Sequence, residues 1–357
     1  MGHHAERGEF YHLYINGQYW GIFNTCERPE ASYGETYFGG RREDYDVVKV
    51  EAGPYTINAT DGNLDAWTRL YQLAQAGFAT TAAYQYVQGN NPDGTRNPAY
   101  ENLVDLPNLI DYMLIIYYGG NLDAPISNFL GNTRPNNFYG VRDRVGADGF
   151  RFFVHDAEHT LLNVNENRLG PYPAGDSSVL YSNPQWVFQK LQANAEFRWL
   201  VADHVHRHFF NNGVLTPQRS REIFTNRTAQ LDRAVVGESA RWGDAKRAAP
   251  FTRTDWLNAV NNVLNNFLPQ RSGVVLNQLR SAGLYPNVTA PSFNQHGGNI
   301  TNGFPLAMSA PAGTIYYTLD GTDPRLTGGA ISPGARTYGG PIALTETSEV
   351  KARVWNG

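Results

Sequence analysis

Asp105–Leu130 reads D-L-P-N-L-I-D-Y-M-L-I-I-Y-Y-G-G-N-L-D-A-P-I-S-N-F-L, and Gly149–His159 reads G-F-R-F-F-V-H-D-A-E-H. The first stretch predicts a helix. Asp105 is an N-cap just ahead of Pro107, and Leu109, Ile110, Met113, Leu114 and Tyr117 make one apolar face. Gly119-Gly120 stops it, as glycine after the last turn does. Asp123 and Asn128 then fall on a loop, spaced as D-x-x-x-x-N. In the second stretch an aromatic strand runs into Asp156 and Glu158. Oxygen ligands on a loop and at a strand end, steadied by a helix, are what Mg²⁺-dependent phosphoryl transfer requires.

Upstream, Phe10–Asn24 holds aromatic-rich strands on either side of Asn16-Gly17, a strong hairpin signal. A polar helical segment follows from Glu27 to Gly39-Gly40. Asp44–Val50 is a third strand, with Lys49 set between valines. Helical spacing returns at Leu64, Trp67, Leu70 and Tyr71. Phe138–Val141 and Phe150–Val154 form a second hairpin around Gly146 and Asp148-Gly149. From Pro184 to Pro286 the chain is helical: helices begin at Asn183-Pro184 and Glu196, one runs from Thr216-Pro217 to Trp242, and a fourth begins at Thr254-Asp255, with Arg271–Ala282 continuing it or forming a fifth. Beyond Pro291 the period changes to two, with Asp320-Gly321 as a turn. The expected class is α+β, with a main domain over residues 1–287 and a small β-sandwich over residues 288–357.

The 357 residues are 41% hydrophobic and 13% aromatic, which is a packed globular composition. No apolar run approaches the roughly 18 residues of a membrane span. A net charge of −4 gives no reason to expect nucleic acid. Cys26 is the only cysteine, which excludes an internal disulfide and a cysteine-based metal site. Both ends read as cut, so a signal peptide is expected to lie outside this stretch. The Walker pattern G-x-x-x-x-G-K-[ST] and the elbow G-x-S-x-G are both absent, which argues against those NTPases and hydrolases.

Each candidate has a plainer reading. Asp123 and Asn128 are residue types that loops use for turn hydrogen bonds. Asp156 and Glu158 face one cation if the strand continues, and otherwise form a solvated turn. His155 and His159 offer a rival zinc site in H-D-A-E-H. Lys49 is either a snorkelling edge residue or an inward anion ligand. His204 and His208 share a helix face as two metal ligands would, but no acidic residue stands between them as in H-E-x-x-H. They read as satisfied core histidines.

L-Y-I-N-G-Q-Y-W-G-I-F-N-T-C-E-R-P-E, E-D-Y-D-V-V-K-V, N-L-I-D-Y-M-L-I-I-Y-Y-G-G-N-L-D and G-F-R-F-F-V-H-D-A-E-H-T-L, in this order, resemble the CotH kinase family. These are relatives of the bacterial spore-coat protein H, with an atypical two-lobed protein-kinase fold. The resemblance covers Phe10 to Pro286. It implies transfer of phosphate from ATP, with Mg²⁺ or Mn²⁺, to Ser or Thr of a protein substrate. Asp123 would be the catalytic aspartate and Asn128 the metal ligand on its loop. Asp156, with Glu158, would hold metal, and Lys49 would meet the phosphates. Gly17 and Gly21 would lie over the phosphates, with Glu27 as a partner for Lys49. Asn121-Leu122 stand where ordinary kinases have His-Arg, and Asp-Ala-Glu replaces Asp-Phe-Gly. I-Y-Y-T-L-D-G-T-D-P-R and V-K-A-R-V-W-N-G resemble the chitobiase/β-hexosaminidase C-terminal type of β domain. That module implies a secreted or cell-surface protein, with carbohydrate or surface contact. Two rival functions follow: a non-catalytic structural or adhesion protein on a kinase fold, and an accessory region of a secreted carbohydrate-active protein.

Overall fold

The structure, a computed structural model, describes residues 1–357. The chain folds as two units, Met1–Ala282 and Gly283–Gly357.

In the first unit, β1 (Gly8–Ile15) and β2 (Gln18–Cys26) form an antiparallel hairpin. Asn16 and Gly17 both take positive φ, 52° and 80°, the geometry that a tight right-twisted hairpin turn demands. α1 (Ala31–Phe38) leads to β3 (Tyr45–Glu51) and β4 (Thr56–Asp61). α2 (Asp65–Ala76), α3 (Thr81–Tyr86) and α4 (Leu106–Gly119) follow, then β5 (Phe138–Asp143) and β6 (Arg151–Val154). The remainder is helical: α5 (Pro184–Leu191), α6 (Ala195–Phe209), α7 (Pro217–Leu231), α8 (Ala234–Trp242), α9 (Arg253–Asn262) and α10 (Leu268–Ser281). The sequence reading runs α7 and α8 together. The structure breaks them at Asp232-Arg233.

β3 to β6 form one antiparallel sheet in the order β4-β3-β5-β6. One face packs Tyr45, Val47, Tyr139, Val141 and Phe153 against Ala31 and Tyr33 of α1. On the other face Trp67 of α2 meets Phe138, Phe150 and Phe152, with ring centroids 6.2, 5.3 and 6.0 Å away. The Trp67 indole N–H donates to Ser182 Oγ at 2.8 Å, so its polar edge is satisfied inside the core.

α4 is buried nearly all round, as expected of a helix apolar on every side. Asp105 caps it by accepting from the Asn108 N–H at 3.0 Å, and Gly120 ends it in the left-handed region at φ 61°. Asn108 reaches the edge strand β6. Its Oδ1 accepts from the Phe152 N–H at 2.5 Å and its Nδ2 donates to the Phe152 carbonyl at 3.3 Å. A side-chain amide thereby supplies the partner that a further strand would have given.

The second unit is built from short strands. β7 (Ser292–Phe293) pairs with β9 (Met308–Ser309), and β8 (Phe304–Leu306) with β12 (Ile342–Leu344). β10 (Thr314–Thr318) lies between β11 (Arg336–Thr337) and β13 (Lys351–Trp355). Met308, Ile315 and Tyr317 form its core, with Tyr338 and Val354 against them. Asp323 receives two hydrogen bonds from the Arg353 guanidinium, at 2.7 and 2.6 Å. No helix of either unit is long and apolar enough to cross a membrane.

Candidate functional site

The loop after α4 is fixed from both ends. Gly120 turns it, and an added Cβ there would meet Glu166 Cβ at 3.0 Å and Arg271 Nη2 at 3.3 Å. The buried Arg271 guanidinium donates to the terminal carbonyls of Tyr117 and Tyr118, a cation placed at the negative end of the helix. Asp123 is half-buried, and its carboxylate is oriented by three donors: Ser127 Oγ on Oδ1, and Asn136 Nδ2 (3.0 Å) and Asn137 Nδ2 (3.1 Å) on Oδ2. Its own N–H donates to Asn121 Oδ1 at 2.8 Å. Asn128 lies exposed on the same loop, where its N–H closes a turn onto the Leu122 carbonyl at 2.7 Å.

Arg168 holds the far side of this loop. It is 2% exposed. Its Nη2 donates to the Ile126 carbonyl at 2.7 Å and its Nη1 to Asn132 Oδ1 at 2.9 Å. Burial lowers its pKa, while the charges of Tyr172, Glu166 and Asp123 oppose that.

β6 ends at Val154, and Asp156 takes a positive φ of 48°. The strand therefore does not continue through residues 156 and 158, as the same-face expectation required. Their carboxyl groups still meet. Partial desolvation, then a hydrogen bond with Asp156 and the Asp156 charge, raise the Glu158 carboxyl from its ordinary value. This segment is tied to the Asp123 loop. The Leu122 N–H donates to the His159 carbonyl at 3.1 Å, the Leu161 N–H to the Gly119 carbonyl at 2.8 Å, and the Phe129 and His159 rings lie 4.7 Å apart.

Sheet register brings Lys49 toward the same end. Lys49 on β3 stands opposite Tyr139 on β5, which stands opposite Phe153 on β6. Asn136 and Asn137, both bonded to Asp123, immediately precede β5. Asp156 comes just after β6. The end of β3, the start of β5 and the end of β6 thus carry Lys49, the donors to Asp123, and Asp156. The Lys49 ammonium lies 6.0 Å from the Tyr139 ring centroid and forms no ion pair.

Other expected contacts differ. Glu27 does not pair with Lys49: it accepts from Tyr37 Oη at 2.5 Å and from the Arg7 N–H at 3.1 Å, because the short turn after β2 directs it toward α1. The hairpin glycines also have different neighbours. Gly17 is in the turn with open space around it. A Cβ on Gly21 would meet Glu238 Oε2 at 2.9 Å, since β2 leans on α8, where the Ile22 N–H donates to Glu238 at 2.7 Å. The Glu238 carboxylate lies on the approach to Gly21. His155 and His159 form no joint metal site. His155 bonds Glu6 at 3.0 Å, whereas His159 packs on Phe129.

A different cluster does collect metal-ligand atoms. Asp111 of α4 and His204 and His208 of α6 are all buried, and one ligand atom from each lies within 4.8 Å of the others. This set is able to hold a divalent metal ion. Burial alone would raise the Asp111 carboxyl. Hydrogen bonds from His204, His208 and His3 outweigh it and hold Asp111 far below the usual range.

The family model described as CotH kinase protein matches residues 1–275. The chain belongs to the CotH kinase family. A second model, described as Fn3 associated, matches residues 305–357 and does not single out the chitobiase type expected for the tail. No curated protein matches the chain. Within this CotH-family chain, sequence reasoning missed Arg168, which stands in an Asn-rich coil (N-V-N-E-N-R) with no periodicity to mark it. It also missed Asp111, the acidic partner that the two histidines lacked in sequence.

Proposed function

We propose that the chain transfers the γ-phosphoryl group of ATP, with Mg²⁺ or Mn²⁺, to a Ser or Thr hydroxyl of a protein substrate. The observation that carries this reading is the meeting of the Asp123 loop with the Asp156–Glu158 pair at the sheet end bearing Lys49. Asp123 accepts the proton of the attacking hydroxyl. Three donors fix its carboxylate and leave a lone pair for the substrate. The new bond forms between the hydroxyl oxygen and the γ-phosphorus, the bridging bond to the β-phosphate breaks, and ADP leaves. Asn128, Asp156 and Glu158 are oxygen donors of the kind that hold a divalent ion, which neutralises phosphate charge when bound. Lys49, free of any ion pair, is available to the phosphates.

The protein is further proposed to act outside the cell or at its surface. There the tail module, read as chitobiase-like, contacts carbohydrate or the surface. Retention of the full chain on insoluble chitin tests that part.

The test of transfer is incubation with γ-labelled ATP, Mg²⁺ or Mn²⁺, and Ser/Thr-containing protein substrates. Transfer should vanish in Asp123→Ala and Asp156→Ala while both variants stay folded. Unchanged transfer in either variant overturns its assignment. Calorimetry that finds no nucleotide binding by the wild type favours the non-catalytic reading.

A further inference from the structure

Asp111 stands apart from the loop proposed for transfer. It lies eight residues before Gly119, which is about 12 Å along the axis at 1.5 Å per residue. Its carboxylate faces α6. The three side chains are sealed from solvent: Asp111, His204 and His208 are 2%, 5% and 4% exposed. Both imidazoles aim at one carboxylate oxygen. His204 Nδ1 lies 2.6 Å and His208 Nε2 3.0 Å from Asp111 Oδ1. The other oxygen, Oδ2, meets His3 Nε2 at 3.0 Å.

We propose that Asp111 Oδ1, His204 Nδ1 and His208 Nε2 bind a zinc ion that staples α4 to α6, separate from the Mg²⁺ or Mn²⁺ of phosphoryl transfer. The donor set selects the ion class. Two imidazoles with one carboxylate suit zinc, whereas Mg²⁺ takes oxygen ligands and keeps its waters. Histidines at i and i+4 lie on one helix face, so a single ion reaches both. Zinc bonds of about 2.0–2.2 Å put tetrahedral ligand atoms about 3.3 Å apart. To admit the ion, His204 Nδ1 must draw back from Oδ1 by about 0.7 Å and His208 Nε2 by about 0.3 Å. His3 has the place of the outer partner that a ligating carboxylate usually keeps, on the oxygen that the metal does not take. Burial of all three ligands favours a structural role, with a bound water as the fourth ligand.

The competing arrangement is a knot held by hydrogen bonds alone, with each imidazole donating to Asp111. Full-length protein, purified without a polyhistidine tag or chelator, separates the two. Zinc is measured by mass spectrometry, Tm is followed with zinc and with a chelator, and Co²⁺ is titrated as a visible-absorption probe. The expected results are stoichiometric zinc, a lower Tm on chelation, and a Co²⁺ spectrum of low coordination number. The spectrum should disappear in His204→Gln and His208→Gln, and His3→Ala should weaken the metal roughly 10- to 100-fold. Asp123→Ala should keep both zinc and spectrum. Wild-type protein that is folded by circular dichroism but holds no zinc, gives no Co²⁺ spectrum and has a Tm indifferent to both additions overturns the proposal. Loss of zinc in Asp123→Ala would overturn its separation from the transfer loop. The Co²⁺ titration of wild type decides even where the glutamine variants fail to fold, and failure of phosphoryl transfer leaves it unaffected.

Discussion

Arg168→Met removes a buried guanidinium while keeping an unbranched stem. Two charge-assisted hydrogen bonds go, to the Ile126 carbonyl and to Asn132 Oδ1. Each contributes about 1.5–3 kcal/mol, and a buried carbonyl left without a donor costs about 1–3 kcal/mol. Relief from burying a charge offsets part of that loss. The net destabilisation should be about 1–3 kcal/mol, a Tm lower by about 2–6 °C in a unit of this size. The kinetic effect should be larger than the thermal one. Ile126 and Asn132 bracket the segment that carries Ser127, a donor to Asp123. Misplacing a reacting group by about 1 Å costs on the order of 10²-fold in rate. Steady-state phosphoryl transfer should therefore show kcat reduced about 10²-fold, with KM for ATP changed much less. Arg168→Lys, which keeps charge but not the planar fork, should fall between. A kcat equal to wild type alongside the lower Tm would refute the claim that Arg168 positions the loop.

Glu158 gives a pH prediction. Its carboxyl is raised in the folded state from an ordinary value of 4.5, so its contribution to stability is complete below that value and is lost as pH rises through the folded pKa. The Tm gain from added Mg²⁺ should grow across that window and flatten in Glu158→Gln, as differential scanning fluorimetry would show. Trp67→Ala empties the far face of the sheet and should cost about 3–5 kcal/mol in urea unfolding. Asp105→Ala removes the cap of α4 and one partner of Arg151, and should cost about 1 kcal/mol by the same method. Glu238→Ala frees the Ile22 N–H, so limited proteolysis should cut Gly8–Cys26 faster while Tm moves little.

Features whose signals are local can be read from sequence. Asn16-Gly17 marks the hairpin, and Asp105 with Gly120 brackets α4, because turn and cap chemistry acts over a few residues. β4 is not legible in this way. T-I-N-A-T-D has one fully buried residue, Ile57, and an edge strand needs no apolar alternation. The break between α7 and α8 carries no Gly or Pro, and Asp232 and Arg233 keep helical angles. The site shows the same division. Asp123 and Asn128 share a loop by spacing, but the donors to Asp123 include Asn136 and Asn137, which only the fold delivers. Asp111 is 93 and 97 residues from its histidines, so no motif can join them. Family order matches Glu27 to Lys49, whereas its real partner is a tyrosine on the next helix.

Asn108 gives the molecule a common datum. Its amide imitates a peptide group, donor and acceptor both, and only a side chain of that length can sit in the strand's ladder. A slip of α4 by a single residue would forfeit both bonds to Phe152. The helix is thereby indexed to β6. The helix bears Asp111 within it and delivers Asp123 at its end, while β6 delivers Asp156. Two acidic groups from one helix and its end and a third from a neighbouring strand inherit their alignment from one amide, which touches none of them.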